Sequence, residues 1–227
     1  ILTDGNSHNL ALSLQLSRSS IDNPIYTRRG SQFTLGLKIT PPYSIIKGTT
    51  DAEFAQMTTS EKYNLLEYHK WKFSGKVFTP LTQDGKLVLM TRAEFGYLGH
   101  YNKNAKSPFE SFYMGGDGMS SYSSYSTEYI SMRGYQSGSL TPYDPAVGRN
   151  MGYVYNKFTM ELRYPISLEQ NATIWALAFV EAGNCFADIK DYNPFNLKRS
   201  AGVGVRLFLP MFGLMGIDWG WGFDPIN

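Results

Sequence analysis

Cysteine is almost missing from this sequence, and its scarcity limits how the fold can be held together. Cys185 is the single cysteine, so no disulfide can form within the chain. No CxxC or Cys/His spacing typical of a bound metal occurs either. We therefore expect strands and packing to stabilise the fold, with no metal and no cofactor.

Charge and long apolar runs are also scarce. Charged residues make up 18% of the chain and the net charge is +2, whereas a nucleic-acid-binding domain normally has a clustered basic face. We therefore exclude a nucleic-acid partner. No segment reaches the roughly 18 apolar residues of a transmembrane helix, but this excludes helical spanning only, because a barrel strand crosses with roughly 9 to 11 residues. Ile1 follows no leader, so we expect an export signal to have been removed or to lie upstream.

Aromatic residues and glycine are plentiful by contrast. The chain has 16 Tyr, 14 Phe, 4 Trp and 22 Gly, a mixture that suits strands better than helices. Along most of the chain apolar and polar residues alternate with a period of two, as in strands with one apolar face. Eight segments alternate in this way or are continuously apolar: 10–17, 32–39, 70–77, 86–97, 157–164, 174–183, 201–209 and 217–223. The sequence predicts an all-β, antiparallel fold.

The connections between these segments differ in length in a regular way. Short turns near 19–31, 81–85, 167–171 and 210–213 alternate with the long segments 41–64, 99–150 and 184–198. Transmembrane barrels have short periplasmic turns and long extracellular loops. A soluble antiparallel sheet gives the same alternation along its strands but has no reason to sort its loops. We therefore predict a transmembrane β-barrel of about eight strands here.

The two faces of the predicted strands carry different residues. The apolar stripes end in aromatic residues such as Tyr97 and Trp219, as an interfacial girdle does. The opposite face carries Lys, Arg and Gly, as a wet lumen would. We expect four apolar side chains to face lipid: Leu35, Phe95, Leu162 and Val205.

Several motifs follow one another in a fixed order. Residues 23–30 form a turn with an aromatic, a Pro and a Gly, and residues 108–116 read Pro-Phe-Glu-Ser-Phe-Tyr-Met-Gly-Gly. Met-Arg-Gly-Tyr follows at 132–135. Residues 179–183 then read Phe-Val-Glu-Ala-Gly, and residues 200–205 read Ser-Ala-Gly-Val-Gly-Val.

In this order the motifs resemble those of the BamA-like outer-membrane β-barrel assembly factors, the bacterial surface antigen or outer-membrane insertase superfamily. That family has F-Y-x-G-G followed by (V/I)-R-G-(F/Y) in extracellular loop six, then F-x-D-x-G and S-x-G-x-G strands. The resemblance covers residues 17–227. Met132 stands where the family has Val or Ile, and a polar stretch rich in Tyr and Ser, 117–131, separates the two loop motifs.

The resemblance implies an architecture for the whole chain. Residues 1–227 would form the carboxy-terminal part of a transmembrane barrel domain, half of a sixteen-stranded barrel, with extracellular loop six at about 99–150. The eight strands would be the eighth to the fifteenth, so both strands of the lateral seam and the periplasmic POTRA repeats would lie outside these residues. Segments 10–17 and 216–223 would then be open borders. Pairing between these two segments would instead make a self-contained eight-stranded barrel.

The resemblance also implies a site. Its loop-six arginine folds inward onto acidic residues of the next two strands, and the matching residues here are Arg133, Glu161 and Glu181. A guanidinium suits this role because it offers five donors in a rigid fork. Glu181 faces inward only if Trp175, Leu177 and Phe179 do too. The full loop-holding motif is Met132, Arg133, Gly134 and Tyr135, and the loop base is Phe112, Tyr113, Gly115 and Gly116. Five glycines are predicted to leave room for the loop in the lumen: Gly202, Gly204, Gly216, Gly220 and Gly222.

The function implied is a non-enzymatic insertase that helps other β-barrel proteins fold into the outer membrane of Gram-negative-type cells. Its partners would be outer-membrane lipid, nascent outer-membrane proteins and accessory subunits of the assembly machinery. A polypeptide-secreting or passive pore barrel of the same superfamily is the alternative. Catalysis is not expected, because the three histidines lie far apart in sequence and no G-x-S-x-G elbow or glycine-rich phosphate loop before a helix occurs.

Overall fold

The main structural element is one antiparallel sheet of eight long strands. The computed structural model describes residues 6–102, 106–118, 126–145, 148–169 and 171–226. In chain order the strands are β1 (Leu12–Ser19), β2 (Gly30–Ile39), β3 (His69–Pro80), β4 (Val88–Gly99), β5 (Phe112–Met114), β6 (Glu128–Ile130), β7 (Tyr143–Asp144), β8 (Arg149–Asn150), β9 (Val154–Glu169), β10 (Ala172–Phe186), β11 (Lys198–Leu209) and β12 (Gly213–Gly222). The sheet order is β1-β2-β3-β4-β9-β10-β11-β12.

The sheet is not closed. Within the described residues β1 pairs only with β2, and β12 pairs only with β11, so these two strands form opposite borders. The open borders predicted for 10–17 and 216–223 are therefore present, and the described residues do not form a self-contained eight-stranded barrel. The two short pairs, β5 with β6 and β7 with β8, lie in the connection between β4 and β9.

All eight predicted strands are present, with different ends. β1 begins and ends two residues later than segment 10–17. β9 has 16 residues, twice the length of segment 157–164, because its pairing with β10 continues from Glu169↔Ala172 beside the tight turn to Val154↔Phe186 at the other end of the hairpin. Alternating hydropathy marks the part of a strand that faces two different environments. The amino-terminal end of β9 loses that alternation, because Val154, Tyr155 and Asn156 are all buried. The carboxy-terminal end keeps it at Ile166 and Leu168, beyond the predicted bounds.

One face of the sheet, here called the outer face, is apolar and open. Leu35, Leu162 and Val205 are exposed on it, as expected for lipid-facing residues. Phe95 is half-buried because the ring of Tyr192, from the connection between β10 and β11, packs edge-on at 5.7 Å. Among the described residues, no helix has the length and apolar character needed to cross a bilayer.

The inner face is covered by the connection between β4 and β9. Trp175, Leu177 and Phe179 are buried on this face, and they settle the direction of segment 174–183, which was apolar on both sides. The inner face is less polar than the sequence predicted. Tyr26, from the turn between β1 and β2, packs edge-on against Trp175 at 5.7 Å and donates a hydrogen bond to the carbonyl of Lys86 at 2.8 Å. Part of the predicted lumen is therefore an apolar core.

The predicted loop 41–64 contains three short helices: α1 (Tyr43–Ile46), α2 (Asp51–Gln56) and α3 (Thr59–Lys62). The last two begin with capping boxes, in which Thr50 pairs with Glu53 and Thr58 pairs with Glu61. These helices were not predicted from the sequence. The pattern Thr-x-x-Glu at both positions was the signal that marks them.

Candidate functional site: an arginine-centred ion-pair cluster on the inner face

The described residues between Gly99 and Val154, here called the long loop, fold back onto the inner face. Within this loop the predicted base and the predicted arginine motif are joined by backbone hydrogen bonds. Gly116 donates to the carbonyl of Tyr135 at 3.0 Å, and Met132 donates to the carbonyl of Gly116 at 2.9 Å. Gly115 has a φ of 130°, and a Cβ there would lie 2.3 Å from the carbonyl oxygen of Gln136. Glycine is therefore required at this point of the base.

Aromatic and sulfur-containing side chains bury the base. Phe112 and Met132 are fully buried, and the ring of Phe112 lies 4.7 Å from that of Tyr155 in β9. Tyr113 contacts the ring of Tyr129 at 5.4 Å. Met132, which departs from the Val or Ile of the resemblance, belongs to the same apolar cluster. The long loop thus packs against the sheet through an apolar cluster that contains its own buried side chains.

Arg133 extends from this base to two carboxylates of the sheet. Its Nη2 atom lies 2.8 Å from Glu161 Oε1 in β9 and 2.7 Å from Glu181 Oε1 in β10. Its backbone N–H donates to Glu181 Oε2 at 2.9 Å, and its Nε–H donates to Oε1 at 3.1 Å. The guanidinium also lies over the ring of Phe179, 3.6 Å from the ring centroid. Side chain and backbone of one residue therefore bind the same carboxylate.

Further charged residues extend these contacts into a network. Arg133 Nη1 lies 3.5 Å from Asp218 in β12. Three more cations pair with the carboxylates: Lys157 with Glu181 at 3.1 Å, Arg163 with Glu161 at 2.7 Å, and Arg206 with Asp218 at 2.6 Å. These seven residues, with Arg133 at the centre, are here called the arginine cluster.

Burial makes this cluster depend on complete pairing. The side chains of Glu181 and Lys157 are each 1% exposed. Charges so deeply buried are stable only when they are paired and hydrogen-bonded. Burial works to lower the pKa of Arg133, but the hydrogen bonds and charges of Glu181 and Glu161 outweigh it and raise that pKa above its ordinary value. Arg133 therefore stays charged at every physiological pH.

Gly134 and Tyr135 bring the loop against the last strand. Gly134 has a φ of 91°, and a Cβ there would lie 2.7 Å from the backbone carbon of Trp221. A Cβ at Gly220 would lie 2.9 Å from the backbone nitrogen of Gly134. Two backbones thus meet without side chains between them. Tyr135 fixes the contact, because its hydroxyl donates to the carbonyl of Arg199 at 2.8 Å.

The five glycines predicted to admit the loop do not all have that role. Gly220 and Gly222 contact residues 133–135, as expected. Gly204 and Gly216 instead leave space for the side chains of Asp218 and Arg206, members of the arginine cluster. Gly202 lies against the ring of Phe179 and the backbone of β12.

The motifs predicted the centre of the cluster, Arg133 with Glu161 and Glu181, but not its periphery. Lys157, Arg163 and Arg206 belong to no motif, and alternation alone places them on the polar face. Residues 119–125 of the predicted polar stretch lie outside the described residues. His69 and His100, separate in sequence, are neighbours in the structure, because His69 pairs with Gly99 across β3 and β4.

The fold and the site together define a class of protein. An antiparallel sheet with an apolar, open outer face, and an inner face filled by an ion-paired loop, is a wall of a transmembrane β-barrel.

The chain belongs to the Omp85 superfamily, whose domain model matches residues 2–227. No curated protein matches it. Among solved structures, the crystal structure of BamA from Haemophilus ducreyi lacking POTRA domains 1-3 matches with a TM-score of 0.65 at 17% sequence identity. The match covers 95% of this chain and 39% of that one, so the chain has the fold of a BamA barrel fragment. Superfamily and fold indicate an outer-membrane protein of the insertase and transporter group.

Proposed function

We propose that this chain is the carboxy-terminal part of the barrel of a non-enzymatic insertase, which helps β-barrel proteins fold into the outer membrane of Gram-negative-type cells. In this proposal the long loop is extracellular loop six, and the chain works without a cofactor. Its partners are outer-membrane lipid, nascent outer-membrane proteins and accessory subunits of the assembly machinery. Membership of the Omp85 superfamily supports the proposal.

The physical basis of such an insertase is the pairing of strand edges. A nascent strand cannot leave backbone N–H and C=O groups unpaired in hydrocarbon, so a barrel with a weakly paired seam can accept it by strand addition. The present residues supply a wall and an internal brace for that seam. The brace matters because a barrel that opens at one side must keep its remaining strands in register.

The observation that carries the proposal is the arginine cluster. Arg133 joins β9, β10 and β12 through Glu161, Glu181 and Asp218. We infer that the link keeps this wall rigid while the seam opens.

The test replaces Arg133 by alanine in the full-length protein. Cells that depend on Arg133→Ala should accumulate fewer folded outer-membrane barrels, measured as the heat-modifiable fraction on gels. Arg29→Ala, which removes an exposed arginine from the turn between β1 and β2, is the matched control and should assemble barrels normally. Normal assembly in Arg133→Ala cells, together with lost export of a dedicated polypeptide, would overturn the proposal and favour a secretion barrel.

A further inference from the structure

Three lysines line the inner face on the other side of the long loop. Lys38 lies in β2, and Lys70 and Lys72 lie in β3. Lys38 and Lys70 are direct cross-strand partners, while Lys72 is the next inward residue along β3. Like charges placed directly opposite each other destabilise a sheet. This part of the wall therefore needs anions from elsewhere.

Two carboxylates of the long loop supply them. Glu110 Oε1 lies 2.5 Å from Lys38 Nζ. Glu128, the first residue of β6, contacts Lys70 Nζ at 2.9 Å through Oε2 and Lys72 Nζ at 2.5 Å through Oε1. These five residues are here called the lysine cluster. Each loop carboxylate thus lies within charge-assisted hydrogen-bonding distance of a lysine in β2 or β3.

The lysine cluster is partly buried and well defined. The side chain of Lys70 is 5% exposed and that of Glu110 is 10% exposed. Lys70 donates a further hydrogen bond to the carbonyl of Glu110 at 2.9 Å and lies 4.8 Å from the ring centroid of Phe112. Lysine is almost never buried unpaired. The ion pair, the carbonyl and the aromatic ring around Lys70 therefore indicate that this residue binds the base of the long loop.

We propose that Glu110 and Glu128 are positioning residues that fasten the base of the long loop to β2 and β3, and so set where Arg133 enters the arginine cluster. The two clusters hold opposite sides of the loop, since the arginine cluster contacts β9, β10 and β12. Glu128 lies in β6, which leads directly to Arg133, and Gly115 donates to the carbonyl of Ile130 at 3.0 Å. A shift of the base is therefore passed to Arg133 within five residues.

Hydrogen exchange measured by mass spectrometry on the full-length protein tests this attachment. The double variant Glu110→Gln with Glu128→Gln keeps the size of both side chains and removes their charge. We expect backbone amides in peptides covering 106–118 and 126–131 to exchange about tenfold faster, because charge-assisted hydrogen bonds are lost. Glu128→Asp, which retains the charge, should keep most of the protection. Glu169→Gln removes an exposed carboxylate at the far end of β9 and should change nothing.

The same measurement separates the two attachments. Arg133→Ala should speed exchange mainly in 132–140 and leave 126–131 closer to wild type. Unchanged exchange at the base in the double glutamine variant would overturn the proposal, because the arginine cluster would then hold the loop alone. If that variant does not fold, Lys72→Gln is the milder test, since the side chain of Lys72 is 45% exposed and Lys70 remains to hold Glu128.

This inference rests on the proposed function only where it concerns barrel assembly, and the readouts are separate. Faster exchange at the base together with reduced assembly supports both. Faster exchange with normal assembly in both the double glutamine variant and Arg133→Ala overturns the proposed function and leaves the second attachment intact.

Discussion

The long loop meets the sheet in two clusters whose charges are arranged in opposite ways. In the arginine cluster the sheet supplies the carboxylates Glu161, Glu181 and Asp218, and the loop supplies a guanidinium. In the lysine cluster the sheet supplies the cations, and the loop supplies Glu110 and Glu128. This charge pattern favours the observed orientation of the loop, because the reverse orientation would place Arg133 against the lysines of β2 and β3.

The two clusters also differ in burial, and burial decides how much each contact contributes. The side chain of Glu181 is 1% exposed, whereas that of Glu128 is 26% exposed. A charge that loses its partner in the dry interior has no water to replace it, while a partly exposed one does. The comparison therefore predicts large effects at the arginine cluster and smaller ones at the lysine cluster.

The largest effect is expected for Arg133→Ala. This change leaves Glu181 and Glu161 with less compensation inside the barrel, and removing one partner of a buried pair typically costs about 3–5 kcal/mol. Denaturant unfolding of the full-length barrel in detergent measures it. Arg133→Lys should recover only part of the loss, because an ammonium cannot reproduce the fork that reaches both carboxylates. A loss no greater than that of Glu128→Gln would contradict the ranking of the two clusters.

The next effect distinguishes the outer face from the inner face. Leu162, near the middle of β9, and Val205 in β11 are exposed on the outer face. Arginine at either position should destabilise the barrel in lipid by about 2–4 kcal/mol, because a charge near the bilayer midplane is poorly solvated. Ser74→Arg, on the inner face opposite Glu94, should cost much less. Unfolding in lipid vesicles measures the difference, and equal costs on both faces would be inconsistent with a membrane-spanning wall.

A smaller effect is expected where two backbones touch. Gly134→Ala adds a Cβ that would lie within 3 Å of the backbone of Trp221 and Gly222, at a φ of 91°. Gly213 has a φ of 79° with nothing within 4 Å of the added Cβ, so Gly213→Ala carries the conformational cost alone. The difference in unfolding free energy between the two variants isolates the close approach, which we expect to cost about 1–3 kcal/mol. Equal costs would show that β12 moves away without penalty.

The sequence predicted the sheet better than the loop, and the reason is physical. Strands with one apolar face must alternate, so all eight segments were found and Leu35 and Val205 were assigned to the correct face. Alternation carries no information where both faces are apolar, as at Trp175 and Leu177, and there the structure was needed. Hydropathy also gave no sign that Tyr26 fills part of the inner face.

The candidate site was predicted at its centre because Arg133, Glu161 and Glu181 belong to motifs. Asp218 was not assigned to the site, because it joins Arg133 through a contact 85 residues apart in sequence. The lysine cluster was missed for a similar reason. Alternation put the lysines of β3 on the polar face, but nothing in the sequence pairs them with Glu110 and Glu128 across a loop of this length.

The smallest effect expected is a dependence on pH at the lysine cluster. Burial on its own would raise the pKa of Glu128, but the charges and hydrogen bonds of Lys70 and Lys72 outweigh it and lower that pKa below its ordinary value. Because the folded-state pKa is lowered, the stabilisation is fully present above the ordinary glutamate pKa of about 4.3 and is lost as the pH falls through the folded value. The unfolding free energies of wild type and Glu128→Gln should therefore differ near neutral pH and converge in acid. In a Lys72→Gln background the difference at neutral pH should shrink, since one of the two cations is gone. If the difference in unfolding free energy between wild type and Glu128→Gln instead grows as the pH falls, burial and not the lysines determines the pKa of Glu128. The lysine cluster would then contribute packing but no ion pairing.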